Sequence, residues 1–264
     1  MIAPTSGGAR PGYFATLGGL LNSNVAPLVQ PASHSRRSLA SRRLARDVLV
    51  LAGIGTLAII LLMVGLDARE IAWMPARGAP ELWSVRIITE FGKAGYVLWI
   101  LAGLLLACVL TTPLLPATAR LYMNGWIVRL QFVLCAVLVP VMVGEVLKWL
   151  IGRGRPFVGG PADPFNFHPF DGTQAYASLP SSHSITAAAL ALAIAAIWPR
   201  LSLVAAAYGV LIMISRLVLL AHHPSDVVAG ALVGLIGALV VRYWFASRKL
   251  GFVIRPGGEI APRG

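Results

Sequence analysis

Ser215-Arg-Leu-Val-Leu-Leu-Ala-His-His-Pro-Ser-Asp226 closes one apolar run and opens the next. Arg216 lies deep in the first run, His222 ends it, and Asp226 follows four residues later. Charge is costly to place away from water, so an apolar helix that carries these groups must find partners for them. A helix end marking a membrane surface accounts for His223 and Ser225 but leaves Arg216 unexplained. Partners for Arg216, His222 and Asp226 must come from elsewhere in the chain.

The 264 residues are 57% hydrophobic and 12% charged, whereas a soluble domain is about a quarter charged. This composition is that of an integral membrane protein. The net charge of +12 fits the Lys and Arg that gather on the cytoplasmic flanks of spanning helices, and nucleic acid is set aside as a partner. Cys108 and Cys135 both fall inside apolar runs and read as packing residues, with neither a disulfide framework nor a metal-site spacing.

Six apolar runs predict six transmembrane helices, near Val48–Leu66, Gly95–Leu115, Trp126–Leu147, Ser184–Trp198, Leu201–Ala221 and Val227–Ala246. A spanning helix needs about 20 residues. The fourth run is shorter and rich in Ala, which suits close packing inside a bundle. The fold class is therefore all-α, a six-helix membrane bundle over 47–246. Residues 1–46 are expected to form a basic flexible cytoplasmic tail, and 247–264 a cytoplasmic C-terminal tail. Arg36, Arg37, Arg42, Arg43 and Arg46 before the first run, Arg120, Arg200, and Arg242, Arg248, Lys249, Arg255 and Arg263 share one side if all six runs cross. Lys and Arg set orientation, which puts both termini in the cytoplasm. The opposite loop, 67–94, carries Trp73 and Trp83 and reads equally as a partly amphipathic segment on the outer surface or as an ordinary folded loop.

Two further polar clusters flank the apolar runs. Lys148 and Arg155-Pro156 follow the third run, and Pro180-Ser-Ser-His183 precedes the fourth. Two crossings separate the second cluster from the opening stretch, so all three clusters meet on the outer face. Lys148, Arg155 and Arg216 then form a group of cations short of acids, an arrangement that an anion completes. Guanidinium forks match phosphate oxygens, and a helix head at Ser181 and Ser182 favours an anion. Glu145, three residues before Lys148, can pair with it on a helix. Asp226 in the first turn of the sixth helix can accept a hydrogen bond from one nitrogen of His222, leaving the other free to attack phosphorus. Asp226 also stabilises the charge that builds on that ring. His183 can protonate the leaving oxygen and later activate water.

With these residues in place, the sequence resembles the type 2 phosphatidic acid phosphatase superfamily, which includes the vanadium haloperoxidases. The family signature is Lys, six residues, Arg-Pro; then Pro-Ser-Gly-His; then Ser-Arg, five residues, His, three residues, Asp. Lys148, Arg155 and Pro156 match its first part, Pro180, Ser181 and His183 its second, and Ser215, Arg216, His222 and Asp226 its third. Ser182 stands where the signature has Gly. The resemblance implies metal-independent hydrolysis of a lipid phosphate or diphosphate, with no cofactor, through a phosphohistidine on His222. His183 would be the general acid and base, Asp226 would orient His222, and Lys148, Arg155, Ser181, Ser182 and Arg216 would bind phosphate. It also implies a multi-pass protein of a bacterial inner membrane with its site on the outer face. Phosphatidate, phosphatidylglycerophosphate, polyprenyl diphosphate and lipid A are the substrate candidates. A lipid phosphotransferase and an inactive lipid-binding or transport protein are the alternatives. A soluble haloperoxidase is disfavoured by the six apolar runs.

Overall fold

The computed structural model describes residues 12–160 and 163–263. The chain folds as a polytopic helical bundle. Five of its helical segments are long and apolar enough to cross a membrane, and a sixth, shorter apolar helix lies among them. The helices are α1 (Tyr13–Val29), α2 (Arg37–Gly65), α3 (Asp67–Trp73), α4 (Trp83–Glu90), α5 (Ala94–Thr111), α6 (Ala117–Ile151), α7 (Ser182–Ile197), α8 (Ser202–Val218) and α9 (Pro224–Ser247). The six expected runs correspond to α2 and α5 to α9.

The shorter helix, α7, lies at the centre. It packs against α6, α8 and α9, and Ile185, Ala187, Ala189 and Ala193 on it are fully buried. Its alanines let the neighbouring backbones come close, which replaces lipid contact with protein contact. Glycines on the partner helices do the same. A β-carbon at Gly234 of α9 would meet the Ile185 carbonyl oxygen at 2.4 Å, and one at Gly144 of α6 would meet Ile185 Cδ1 at 2.2 Å. α6 continues through Pro140, and Gly237 of α9 fits against that ring.

Both expected tails are ordered where they are described. Residues 1–11 lie outside the described part, but residues 13–29 form α1, and α2 starts at Arg37, ahead of the expected boundary. α1 is held at the bundle by Asn24 Nδ2, which donates to Asn124 Oδ1 at 2.8 Å, and by the Tyr13 hydroxyl on the Leu110 carbonyl at 3.0 Å. The Gly and Pro content of this region hides an apolar stretch, Leu17 to Leu28, that finds a groove to pack in. At the other terminus, β1 (Phe252–Ile254) pairs antiparallel with β2 (Ile260–Pro262). Phe252 and Ile254 are buried, and the Phe252 ring lies edge-on to Phe132 at 4.7 Å. The short apolar pieces around Pro256-Gly257-Gly258 carry a hairpin signal that a reading for tails passes over.

The segment between α2 and α5 lies over the other end of the bundle. Its two short helices, α3 and α4, leave Trp73 and Trp83 exposed while inserting other side chains among the helix heads.

Candidate active site

The end of α6 is shaped by a glycine. Gly152 adopts a left-handed conformation (φ 58°), and its N–H returns to the Lys148 carbonyl at 2.8 Å. A β-carbon there would sit 1.8 Å from the His168 carbonyl oxygen, so only glycine allows this turn. The chain then crosses the bundle end. Gly154 N donates to Asn166 O at 2.9 Å, Arg155 N to Ala175 O at 2.9 Å, and Ser178 N to Arg153 O at 3.0 Å. These bonds bring residues 153–155 and 166–178 beside the heads of α7 and α9.

The three sequence clusters meet at this end. Lys148 is largely buried on the last turn of α6, with Nζ 3.0 Å from Glu145 Oε1, as the spacing of three predicts. The departure from the signature, Ser182, completes a triangle with them: its hydroxyl contacts Lys148 Nζ and donates to Glu145 Oε1 at 2.7 Å. The Ser182 side chain thus turns to α6. Arg155 Nε donates to the Gln174 carbonyl at 2.9 Å. Arg216, on the last turn of α8, donates from Nη1 to Thr89 Oγ1 of α4 at 2.8 Å, and its buried Nε has no protein partner. Ser181 caps α7 without a side-chain bond. Its N–H is taken by the Asp226 carbonyl at 3.1 Å, and its buried hydroxyl is unpartnered. The Ser181 N–H is thus already occupied, and the hydroxyl is the donor that remains without a protein partner. His183 Nε2 is also buried and unpartnered, and the turn at Gly92 lies against this ring, where a β-carbon would come 3.2 Å from His183 Cδ2.

His222 lies in the short connection between α8 and α9, almost wholly buried. The expected hydrogen bond from His222 to Asp226 is not formed directly, because the Ser178 hydroxyl takes the near side of the carboxylate. His222 Nδ1 is 3.7 Å from Asp226 Oδ2 and 3.4 Å from Ser178 Oγ, while Ser178 donates to the same Oδ2 at 2.6 Å. The Ser178 hydroxyl therefore sits at the junction of ring and carboxylate. Asp226 Oδ2 also accepts the His223 N–H at 2.9 Å, the bond expected of an acid in the first turn of a helix. Burial pushes the His222 ring down to about 4, against the opposing pull of Asp226, with Arg155 and Arg216 adding to the fall. At neutral pH the ring is uncharged and its nitrogen lone pair is available.

The other Asp226 oxygen is bound by a residue that motif reading misses. Arg153 is fully buried, with Nη1 2.6 Å from Asp226 Oδ1 and Nη2 2.8 Å from Asp67 Oδ2. Asp67, at the start of α3, is equally buried and accepts the Ser225 N–H at 3.0 Å and the Ser225 hydroxyl at 2.5 Å. The signal for Arg153 lies in the sequence: it is a third cation between Lys148 and Arg155, and Asp67 directly follows an apolar run. Spacing alone does not reveal that they touch. Glu70, one turn after Asp67, is buried with neither oxygen partnered. Burial, with the Asp67 charge second, raises it to about 7. Among the described residues no group of three or more His, Cys, Asp or Glu is placed to hold a metal ion.

A helical membrane bundle with two histidines, an acid and three cations at one end defines a class, and comparison with known proteins agrees. The model of the PAP2 superfamily matches residues 129–250, from within α6 to just past the end of α9. The chain is similar to two proteins named lipid A 1-phosphatase. It is 36% identical over 117 residues to that of Rhizobium johnstonii, covering 44% of this chain and 48% of the relative. It is 35% identical over 117 residues to that of Rhizobium etli, covering 44% and 50%. The chain thus spans about half the length of the curated relatives it matches. No solved structure matches it. The segment carrying Asp67 and Thr89 lies outside the family match.

Proposed function

We propose that the chain is a membrane phosphatase that releases inorganic phosphate from a lipid phosphate through a phosphohistidine on His222. The observation that carries this reading is the pairing of a buried, neutral His222, backed at Nδ1 by Asp226 and Ser178, with His183, whose Nε2 has no protein partner, in the company of Lys148, Arg155 and Arg216. In the first step His222 Nε2 attacks phosphorus, the bond from phosphorus to the lipid oxygen breaks, and His183 gives that oxygen a proton. In the second, His183 takes a proton from water, the water oxygen attacks phosphorus, and the phosphorus–nitrogen bond breaks to free phosphate and His222. Lys148, Arg155 and Arg216 hold the equatorial oxygens and offset the charge that develops there. The residues present supply nucleophile, acid and cations without a metal.

A lipid substrate is supported by the surroundings of His183. A cavity of about 490 Å³ lies between α5, α7 and α8, lined by Phe91, Tyr96, Val97, Ile100, Leu190 and Tyr208 among others. Glu90 and Phe91 of its lining directly precede Gly92, the turn that lies against His183. The names of the relatives point to lipid A-type phosphates as the first substrates to offer. The basic flanks of α2 and α9 support cytoplasmic termini and a site on the outer face of a bacterial inner membrane. The test is purified protein in detergent, given lipid A, phosphatidate, phosphatidylglycerophosphate and polyprenyl diphosphate in turn. Release of phosphate from one of them, lost in His222→Ala, is expected. Full activity in His222→Ala would remove the nucleophile, and transfer to an acceptor lipid without phosphate release would replace hydrolysis by phosphotransfer.

A further inference from the structure

We propose that Arg153 and Asp67 are positioning residues for the nucleophile, which makes α3 of the outer segment a working part of the active site. The inference rests on His222 being the nucleophile.

The two oxygens of Asp226 have separate duties. Oδ2 faces His222 Nδ1, the Ser178 hydroxyl and the His223 N–H, while Oδ1 is bound by Arg153 Nη1 at 2.6 Å. A carboxylate free to turn about its last bond would present either oxygen to the ring. The Arg153 bond removes that freedom, and Arg153 is itself immobile. Its Nε and Nη2 donate to the Pro164 carbonyl at 3.0 and 2.7 Å, Nη1 reaches Ser225 Oγ at 2.6 Å, and Nη2 reaches Asp67 Oδ2. Asp67 closes the circuit through the N–H and hydroxyl of Ser225, the residue before Asp226. A planar fork with two prongs on different partners has no equivalent in lysine.

Charge gives the circuit a second effect. Two buried carboxylates share one guanidinium, so the cluster carries one unit of negative charge in surroundings that screen it poorly. That charge becomes most favourable when His222 turns positive on taking up the phosphoryl group. A circuit that only joined α3 to the bundle would require neither the excess charge nor direct contact with Asp226. The charged and titratable groups bearing on His222 are Asp226 from α9, Arg216 from α8, Arg155 from the connection after α6, and His183 from α7. Asp67 acts on it through Arg153 and Asp226.

Asp67→Asn and Arg153→Lys are the test, with p-nitrophenyl phosphate as substrate so that the result does not depend on which lipid is used. Asp67→Asn preserves shape and removes the excess charge, and Arg153→Lys preserves charge and removes the fork. Both are expected to lower kcat by on the order of 10 to 10²-fold while KM and competitive inhibition by inorganic phosphate, which report the three cations, stay within about threefold. In Asp67→Asn the acidic limb of kcat/KM is expected to move to lower pH, because a protonated His222 loses part of its compensation. In Arg153→Lys, which removes no negative charge, the limb is expected to stay in place. Wild-type kcat in Asp67→Asn would overturn the proposal. So would a fall in kcat matched by an equal loss of phosphate inhibition with the acidic limb unmoved, the pattern of a general loss of structure.

Discussion

Gly230→Ala tests whether the spacing of α7 and α9 sets the chemistry. A β-carbon at 230 would lie 2.5 Å from the Ser181 carbonyl oxygen, 2.8 Å from Ser184 Cβ and 3.2 Å from Ser181 N. Ordinary contact begins near 3.5 Å, so the worst overlap is about 1 Å. It falls on backbone at the head of α7, with no flexible side-chain tip to swing aside. Ser181 N also donates to the Asp226 carbonyl, so the overlap strains the bond that joins the two helix heads. The helices must part by roughly the overlap, at about 1–3 kcal/mol of stability. The larger effect is on rate. His183 is carried by α7 and His222 is joined directly to α9, and a misplacement of about 1 Å is worth on the order of 10²-fold. The assay is phosphate release from a lipid phosphate in micelles, with thermal melting in the same buffer. The expected result is kcat lowered about 10²-fold with the melting temperature down by less than about 10 °C. Gly103→Ala, where a β-carbon meets nothing within 4 Å, should match wild type. Activity of Gly230→Ala within about threefold of wild type would refute the reasoning.

His183→Ala removes the proton donor to the leaving oxygen and should lower kcat by about 10²- to 10⁴-fold in steady-state assays. The loss should be smaller for an aryl phosphate, whose leaving group needs no proton. Because His222 is held below its usual range, to about 4, its neutral form is complete at pH 7 and is lost only as pH falls through that value. The acidic limb of kcat/KM that belongs to His222 should therefore lie near pH 4, and Asp226→Asn should move it lower still. Glu70 is raised from 4.5 to about 7, so its ionisation opposes folding as pH climbs between those values, and the penalty is complete above them. Glu70→Gln should raise the melting temperature at pH 8 and leave it unchanged at pH 4. Activity should persist in excess chelator, measured on protein dialysed against it, and a loss restored by added metal would contradict the proposed chemistry.

The helices that carry the site were legible because each ends in a charged group that lipid does not tolerate. Arg216, His222 and Asp226 announce the head of α9, and the spacing from Lys148 to Arg155 announces the end of α6. The meeting of these groups followed from counting crossings. Contacts that depend on side-chain direction were not legible. Ser182 reads as an alteration of the phosphate site, yet its hydroxyl turns to Glu145 and Lys148. Asp67 lies 159 positions before Asp226 in the chain, and no local pattern reports a bond that Arg153 makes to both. The amino-terminal region was misread for a related reason. Its composition describes a flexible segment, whereas α1 is stabilised by the surface that α5 and α6 offer it.

The burial of α7 bears on how the protein enters the membrane. A helix of 16 residues covers about 24 Å, less than the hydrocarbon thickness, and its alanines gain little from lipid. Such a segment cannot rely on its own partitioning, and its place in the bilayer depends on neighbours that are already there. α7 carries His183, so the proposed proton donor reaches its place only when α6, α8 and α9 have closed around it. A chain halted during biosynthesis before α9 would hold the cations of α6 and α8 and lack both the anchor of the proposed nucleophile and a settled α7, so on the proposed mechanism no partly inserted intermediate would be active.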